Sequence, residues 1–312
     1  MSANQLSVAC IGLGRIGTGI ARNVQASGCR LIVYNRNPQK TQPFVASGAA
    51  VAGSPREAAA AADIVITCLM DDKSVLDNTQ GGDGILAGMH HGAIHIGTST
   101  ISPKASTQLA ELHASHGSYY VAAPVVGRID AAAAGKLITF VAGKAEAIER
   151  CRPVIAAYTA KIIVLGDDPA AAPSLKLVVN FFGASMLEVM GEAFVFAEKR
   201  GLNLELVGGM FKELIHHPAM PVYVDKIRTR NFDDDIGFTL DGGLKDVQLM
   251  LDAAAEVHLP IPCASLIRDK CITAQAHGMG QRDWSAFTEV TRINAGEKVQ
   301  AATAMPRSKG AS

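Results

Sequence analysis

The segment from Leu6 to Arg36, LSVACIGLGRIGTGIARNVQASGCRLIVYNR, restricts the fold of this chain more than any other stretch. An apolar run from Leu6 to Ile11 meets Gly12-Leu13-Gly14-Arg15-Ile16-Gly17. A helical pattern then continues to about Ser27, and a second apolar run covers Leu31 to Tyr34. Strand, glycine turn, helix and strand make a βαβ unit, and a G-x-G-x-x-G turn in that setting points to a dinucleotide pyrophosphate. Gly12 permits the tight turn, Gly14 lets a pyrophosphate approach the backbone, and Gly17 lets the helix lie close to the sheet. The free N–H groups and partial positive charge of the helix N-terminus then face the phosphates. Taken alone, such a turn is equally an ordinary glycine-rich βα loop.

The end of the second strand narrows the ligand. An acidic residue there usually reads the ribose 2′-hydroxyl of NAD. This chain has Asn35-Arg36-Asn37 and no acid. An arginine forks around a 2′-phosphate and stacks on an adenine. NADP(H) is therefore the expected cofactor and NAD(H) the second choice, a solvated surface arginine being the bland alternative for Arg36.

The rest of the first half alternates between strands and helices. Strands are expected near Ala50-Val51, Asp63–Leu69, Ala93–Gly97, Tyr119–Ala122, Leu137–Ala142 and Lys161–Leu165. Helices are expected near Gln39–Ser47, from Ser54-Pro55, from Ser102-Pro103 to about His116, and near Ala145–Ala157. Ser54-Pro55 reads as N-cap followed by first-turn proline. Such alternation implies a mostly parallel, doubly wound α/β sheet of the Rossmann type. After Gly166 the pattern changes. From Ser174 small and apolar residues run at helical spacing to about Lys199, some 39 Å of helix at 1.5 Å per residue. Only helical patterns follow, near Glu205–Leu214, Pro218–Arg228, Leu244–His258, Cys263–His277 and Trp284–Ala295. The expected organisation is a nucleotide-binding domain over residues 1–166, a bridging helix over 167–200, an all-helical domain for substrate and dimerisation over 201–301, and a flexible tail over 302–312.

Composition bounds the partners. Lys+Arg and Asp+Glu balance at 29 each, which argues against a nucleic-acid partner or an anionic membrane surface. No apolar stretch reads as long enough to span a bilayer, and the first strand leaves no room for a signal peptide. A cytoplasmic location is the resulting expectation. The six cysteines are scattered without a C-x-x-C pair, so no disulfide framework is expected. His90-His91 and His216-His217 are adjacent pairs whose side chains diverge, and no metal site is expected.

Chemistry is expected in a cleft beside the bridging helix, which carries Lys176 and Asn180 four residues apart and so on one face. A lysine among Leu175, Leu177, Val178 and Val179 is costly to bury without a use, although a snorkelling lysine meets the same pattern. Over about residues 6–300 the chain resembles the β-hydroxyacid dehydrogenase family, relatives of 3-hydroxyisobutyrate dehydrogenase and 6-phosphogluconate dehydrogenase. The resemblance rests on the glycine turn, Ser99-Thr100-Ile101-Ser102-Pro103, Ala123-Pro124-Val125 with Gly127, Gly135-Lys136-Leu137, Lys176-Leu177-Val178-Val179-Asn180, and Leu244-Lys245-Asp246. It implies that Lys176 is the general acid in reduction and the base in oxidation. It further implies that Asn180 holds the substrate hydroxyl or its anchoring group, Thr100 meets the nicotinamide ribose, Leu69 and Met70 line the cofactor, and Lys245 reaches the cofactor. Lys245 reads equally well as a surface ion pair with Asp246. A dimer or tetramer built through the helical domain is also implied.

The chain departs from that pattern at Pro124-Val125-Val126-Gly127-Arg128, where many relatives have Pro-Val-Ser-Gly-Gly. A substrate carboxylate would be held by backbone N–H groups around Val126 and Gly127 or by the fork of Arg128. Phe238 is a candidate pocket wall from the helical domain, with Phe211 and Met210 as further candidates that read more simply as packing. The expected activity is NADPH-dependent reduction of a small aldehyde or keto acid, of the semialdehyde or glyoxylate type, or oxidation of the β-hydroxyacid. Imine reduction on the same architecture and a non-catalytic cofactor-binding scaffold are the two alternatives.

Overall fold

The computed structural model describes residues 6–217 and 219–297. Its contacts divide the chain into two compact units that meet between Gly183 and Ala184. The first unit runs β1 (Ser7–Ile11), α1 (Arg15–Ala26), β2 (Arg30–Tyr34), α2 (Gln42–Val45), β3 (Ala50–Val51), α3 (Pro55–Ala60), β4 (Ile64–Thr67), α4 (Asp72–Thr79), α5 (Ile85–Gly88) and β5 (Ile94–Gly97). It continues with α6 (Pro103–Ser115), β6 (Tyr119–Ala122), β7 (Val125–Val126), α7 (Ile129–Ala133), β8 (Leu137–Val141), α8 (Ala145–Ala157) and β9 (Thr159–Val164). Helix α9 (Ala171–Lys199) contributes to both units.

Strands β1 to β6 form one all-parallel sheet in the order β3-β2-β1-β4-β5-β6. A parallel sheet is covered on both faces, so its strands are apolar without interruption. β1 shows how the pleat sorts the residues. Val8 and Cys10 join the core formed with Ile20, Ala21 and Val24 of α1 and Ile148, Cys151 and Val154 of α8. Ala9 and Ile11 face the opposite core, with Ala58 and Ala59 of α3 and with Ile85.

The strand order turns back at β1, which lies between β2 and β4. Crossovers run to opposite sides there, which opens a crevice at the carboxyl ends of β1 and β4. The expectation of a single doubly wound sheet needs correction beyond β6. β7, β8 and β9 form a separate three-stranded mixed sheet, with β7 antiparallel and β9 parallel to β8. The two-residue β7 is too short to show alternation, and pairing with β8 alone makes it a strand.

The second unit comprises the rest of α9, then α10 (Leu204–Ile215), α11 (Ala219–Thr229), α12 (Leu240–Glu256), α13 (Pro262–Ala276) and α14 (Glu289–Asn294). A 3₁₀ turn over Trp284–Thr288 precedes α14, so the expected single helix over Trp284–Ala295 is two pieces. Phe232, Leu240, Cys271, Ala274, Met279, Ala286 and Val290 form its core. Two ion pairs with buried carboxylates flank that core, Arg230–Glu289 at 2.5 Å and Lys226–Asp283 at 3.6 Å. Outside it, α10 buries no residue and exposes Leu206, Met210 and Leu214.

The expectation that no apolar stretch reaches membrane-spanning length does not hold for α9, which is long and apolar enough by length and composition alone. Every residue between Lys176 and Glu188 is uncharged. The tail expected over residues 302–312, and Pro218 at the expected start of α11, lie outside the described residues.

Candidate active site

The glycine turn is built as its residues demand. Gly12 has φ +97°, and a Cβ there would meet the Cys68 carbonyl oxygen at 2.4 Å. A Cβ on Gly17 would lie 2.1 Å from the carbonyl oxygen of Gly12, so the first turn of α1 sits directly on the loop. A Cβ on Gly14 would meet nothing within 4 Å. Gly14 therefore presents bare backbone to open space. Asn35 braces the turn: its Oδ1 accepts from the Leu13 N–H at 2.9 Å and its Nδ2 donates to the Asn37 carbonyl at 2.9 Å.

Three long or capped helices begin at this edge of the sheet, and their N-termini are treated differently. α4 is capped by Asp71, whose carboxylate accepts from the Ser74 N–H, and carries Asp72 in its first turn. α6 is capped by Ser102, whose hydroxyl accepts from the Ala105 N–H. α1 has Gly14 at its N-cap, no side-chain cap and no acidic residue in its first turn. An anion arriving at the crevice finds free N–H groups and no competing carboxylate at α1.

A cavity of about 800 Å³ opens here, lined by Gly12, Gly14, Arg15, Ile16, Asn35, Lys40, Cys68, Leu69, Met70, Thr98, Ser99, Thr100, Val125, Gly127 and Lys176. A neighbouring hollow of about 320 Å³ shares Gly12, Asn35, Lys40, Leu69 and Met70 and adds Arg36, Ser74 and Asn78. On the other side a hollow of about 720 Å³ shares Arg15, Ile16 and Gly127 and adds Arg128, Ile129, Asp130 and Ala133. Three connected hollows thus run past the turn, with Arg36 and Lys40 in the first and Lys176 in the middle one.

Lys176 is placed by the start of α9. Ala172, Leu175 and Val179 pack that helix onto the core around Tyr120 and Phe140. Lys176, on the flank of that stripe, is only 8% exposed. Among the described residues its ammonium has no hydrogen bond or ion pair, and burial pushes its pKa below the ordinary lysine value. An ammonium held without an anionic partner in a cavity is a proton donor awaiting an acceptor.

The cavity gathers ten of the expected site residues: Gly12, Gly14, Arg15, Ile16, Asn35, Leu69, Met70, Thr100, Gly127 and Lys176. Others take different positions. Leu13 is 2% exposed with its side chain in the core and its N–H on Asn35, so it supports the turn and does not line the cavity. Gly17 is buried beneath the turn. Val126 pairs with Ile138 in the second sheet, and its neighbour Val125 lines the cavity instead. The Arg128 side chain is 94% exposed and 3.9 Å from Asp130. Asn180 is exposed, one turn beyond Lys176 on α9. Phe238 and Lys245 belong to the second unit. There Phe238 packs edge-on to Trp284 at 6.1 Å and Lys245 pairs with Asp246 at 2.8 Å. Sequence reading missed Lys40, Ser99 and Val125. Lys40 had a usable signal, a second cation four residues after Arg36.

Behind the cavity a buried polar chain crosses the sheet. The Ser118 hydroxyl donates to the His113 carbonyl at 3.2 Å, which fixes the rest of the polarity. His113 Nδ1–H then donates to Ser118 Oγ, His95 Nδ1–H to His113 Nε2, and the Thr67 hydroxyl to His95 Nε2, each at 2.9 Å. Both imidazoles are thereby neutral Nδ1–H tautomers. Burial, reinforced by their mutual repulsion when charged, holds the His95 pKa well below its usual value, and burial pushes His113 down to about 3.

The family comparisons agree with this geometry. A model described as the NAD binding domain of 6-phosphogluconate dehydrogenase matches residues 7–166, and one described as NAD-binding of NADP-dependent 3-hydroxyisobutyrate dehydrogenase matches residues 170–291. The chain is 41% identical over 282 residues to an uncharacterized oxidoreductase, YfjR, of Bacillus subtilis (strain 168), covering 90% of this chain and 98% of that protein. It is 29% identical over 291 residues to 3-sulfolactaldehyde reductase of Escherichia coli (strain K12), covering 93% and 97% respectively. Among solved structures, the imine reductase from Myxococcus stipitatus in complex with NADP+ shares the fold, with a TM-score of 0.81 at 21% identity over 91% of this chain and 99% of that one. With its fingerprint turn, its buried lysine and its all-helical second half, this chain belongs to the β-hydroxyacid dehydrogenase family of NAD(P)-dependent oxidoreductases.

Proposed function

We propose that this protein reduces a small aldehyde or keto acid with NADPH, or oxidises the corresponding β-hydroxyacid, with Lys176 as the proton donor and acceptor. The observation that carries this reading is the buried, unpartnered ammonium of Lys176 in one cavity with Gly12, Gly14 and Thr100. The glycine turn and α1 would hold the pyrophosphate. Arg36 and Lys40, which share the adjoining hollow, suit the 2′-phosphate. Bound NADPH supplies a hydride.

The protein's part is to hold the carbonyl oxygen against Lys176 Nζ and to deliver a proton as negative charge develops there. The carbonyl carbon gains the hydride, its oxygen gains the proton, and Lys176 is left as a neutral amine that solvent reprotonates. In the oxidative direction the neutral amine takes the hydroxyl proton, and its burial-lowered pKa makes that form more accessible. In this reading Thr100 meets the nicotinamide ribose and Asn180 steadies the substrate hydroxyl. The backbone at Val126 and Gly127, with Arg128, takes an anionic end of the substrate. The similarity to 3-sulfolactaldehyde reductase supports an aldehyde with such an end.

A second copy of the chain is the proposed partner. Leu187, Leu206, Met210, Leu214, Val224, Leu249 and Leu266 are all exposed in the helical unit, more apolar surface than a monomer usually leaves in water. Light scattering reading a monomer would refute this.

The deciding assay follows NADPH consumption with succinic, tartronic and methylmalonic semialdehydes, glyoxylate and a cyclic imine, for wild type and Lys176→Ala. Turnover of an aldehyde that Lys176→Ala abolishes supports the reading. Turnover of the imine alone supports the imine-reductase alternative, and no turnover with retained NADPH binding supports a scaffold.

A further inference from the structure

We infer that Asp72 and Ser99 are positioning residues that clip together the two loops forming one wall of the cofactor cavity, and so set the place of Thr100. The inference rests on the reading of that cavity as the NADPH site. Residues 68–71 leave β4 and residues 98–102 leave β5 side by side, and Cys68, Leu69, Met70, Thr98, Ser99 and Thr100 all line the cavity. The sheet ladder aligns these segments only as far as Thr67 opposite Gly97. Past that point the strands no longer hold the loops in register.

Side chains take over where the ladder stops. The Thr98 hydroxyl and N–H both donate to the Thr67 carbonyl, at 2.7 and 2.9 Å. The Leu69 N–H donates to Ser99 Oγ at 2.8 Å. Further out, Asp72 receives two bonds from one residue: the Ser102 N–H donates to Oδ1 at 2.8 Å and the Ser102 hydroxyl to Oδ2 at 2.6 Å. The same Ser102 hydroxyl accepts from the Ala105 N–H at 3.1 Å and so caps α6. Asp72 itself lies in the first turn of α4, behind a capping box formed by Asp71 and Ser74. Thr100 therefore sits between two clips, Ser99 onto Leu69 and Ser102 onto Asp72.

Charge-assisted bonds to both oxygens of one carboxylate are short and directional. They tie the start of α6 to the start of α4, so neither loop shifts without the other. None of these side chains is asked to touch the reacting atoms. Their effect passes through Thr100, Leu69 and Met70, and small displacements of such a wall are amplified in rate.

The test measures NADPH dissociation constants by fluorescence titration, together with kcat and KM on the best aldehyde, for wild type, Asp72→Ala, Asp72→Asn, Ser99→Ala, Ser102→Ala and the double variant of Asp72→Ala with Ser102→Ala. Urea midpoints and far-UV circular dichroism establish that each variant is folded. Asp72→Ala is expected to weaken NADPH binding about tenfold and to lower kcat by a similar factor, with KM for the aldehyde within about twofold. Asp72→Asn, which keeps one acceptor, should recover part of both losses. Ser102→Ala should add little on the Asp72→Ala background, because the two share one interaction. If Asp72→Ala does not fold, Ser102→Ala and Ser99→Ala carry the test, each removing a single hydroxyl, with losses of about threefold expected. Folded variants that bind NADPH and turn over within twofold of wild type overturn the inference while leaving the functional reading standing. A wild type that binds neither NADPH nor NADH overturns both.

Discussion

The buried histidine pair makes the stability of the first unit sensitive to mild acid. His95 and His113 are neutral in the fold, each with both ring nitrogens engaged, and charging either one breaks a bond in the chain from Thr67 to Ser118. In the unfolded chain both titrate near the ordinary histidine value of about 6.5, whereas in the fold His113 is pushed down to about 3 and His95 lies well below its usual value. The unfolded state therefore binds more protons between those limits. Stability is fully present above about pH 6.5 and is lost as pH falls toward the folded pKa.

Between pH 7 and pH 5 the folded His113 imidazole stays neutral. Its loss is then set by the unfolded state alone, about 2 kcal/mol from a reference pKa of 6.5, and His95 adds a loss of the same sign. Urea unfolding followed by circular dichroism at pH 7, 6 and 5 gives this loss directly. His113→Gln and His95→Gln keep a donor and an acceptor but do not titrate, so each should shrink the pH 7 to 5 difference, His113→Gln by about 2 kcal/mol. An unchanged pH dependence in both variants would refute the assignment of neutral, hydrogen-bonded imidazoles.

Four further outcomes are expected. Lys176→Ala should cut the chemical step by about 10²–10⁴ with NADPH affinity unchanged. In wild type the reduction rate should fall as pH rises through a pKa below 10.5, because burial lowers that of Lys176; a flat alkaline limb argues against it. Arg36→Ala should raise KM for NADPH by about one to two orders of magnitude and leave KM for NADH nearly unchanged, the lost charged contact costing about 1.5–3 kcal/mol at most; a wild type preferring NADH would contradict the premise. Gly17→Ala should unfold the first unit or abolish cofactor binding, since its Cβ would lie 2.1 Å from the Gly12 carbonyl oxygen; a folded variant with native affinity would show the turn to be more compliant than its geometry indicates.

Features governed by neighbouring residues were legible in the sequence. The turn from Gly12 to Gly17, the N-caps at Ser54 and Ser102, and the edges of α1, α6 and α8 all follow from local chemistry. Pairings between distant segments were not. β7 is two residues long and exists because Val125 and Val126 lie against Thr139 and Ile138. α4 was overlooked although Asp71 and Ser74 carry a capping box, a signal more local than any used for the long helices. The site divides in the same way. Lys176 stood out as a cation in an apolar segment, whereas the link between His95 and His113 depends on α6 bringing two residues eighteen apart in sequence to 2.9 Å. The motif points to Val126 as a pocket residue, whereas in the fold Val125 lines the cavity.

The uncapped start of α1 has a consequence for the empty protein. A side-chain cap is worth a few tenths of a kcal/mol over a glycine, and Gly14 forgoes it where Asp71 and Ser102 do not. The fold is thus left short of stabilisation at the one place an anion is meant to occupy. By mass action, any ligand that binds only the folded state raises the unfolding temperature in proportion to the logarithm of its concentration. Inorganic phosphate or sulfate at millimolar levels should supply part of that gain and a dinucleotide more, so the measured thermal stability of this protein will depend on the buffer chosen to measure it.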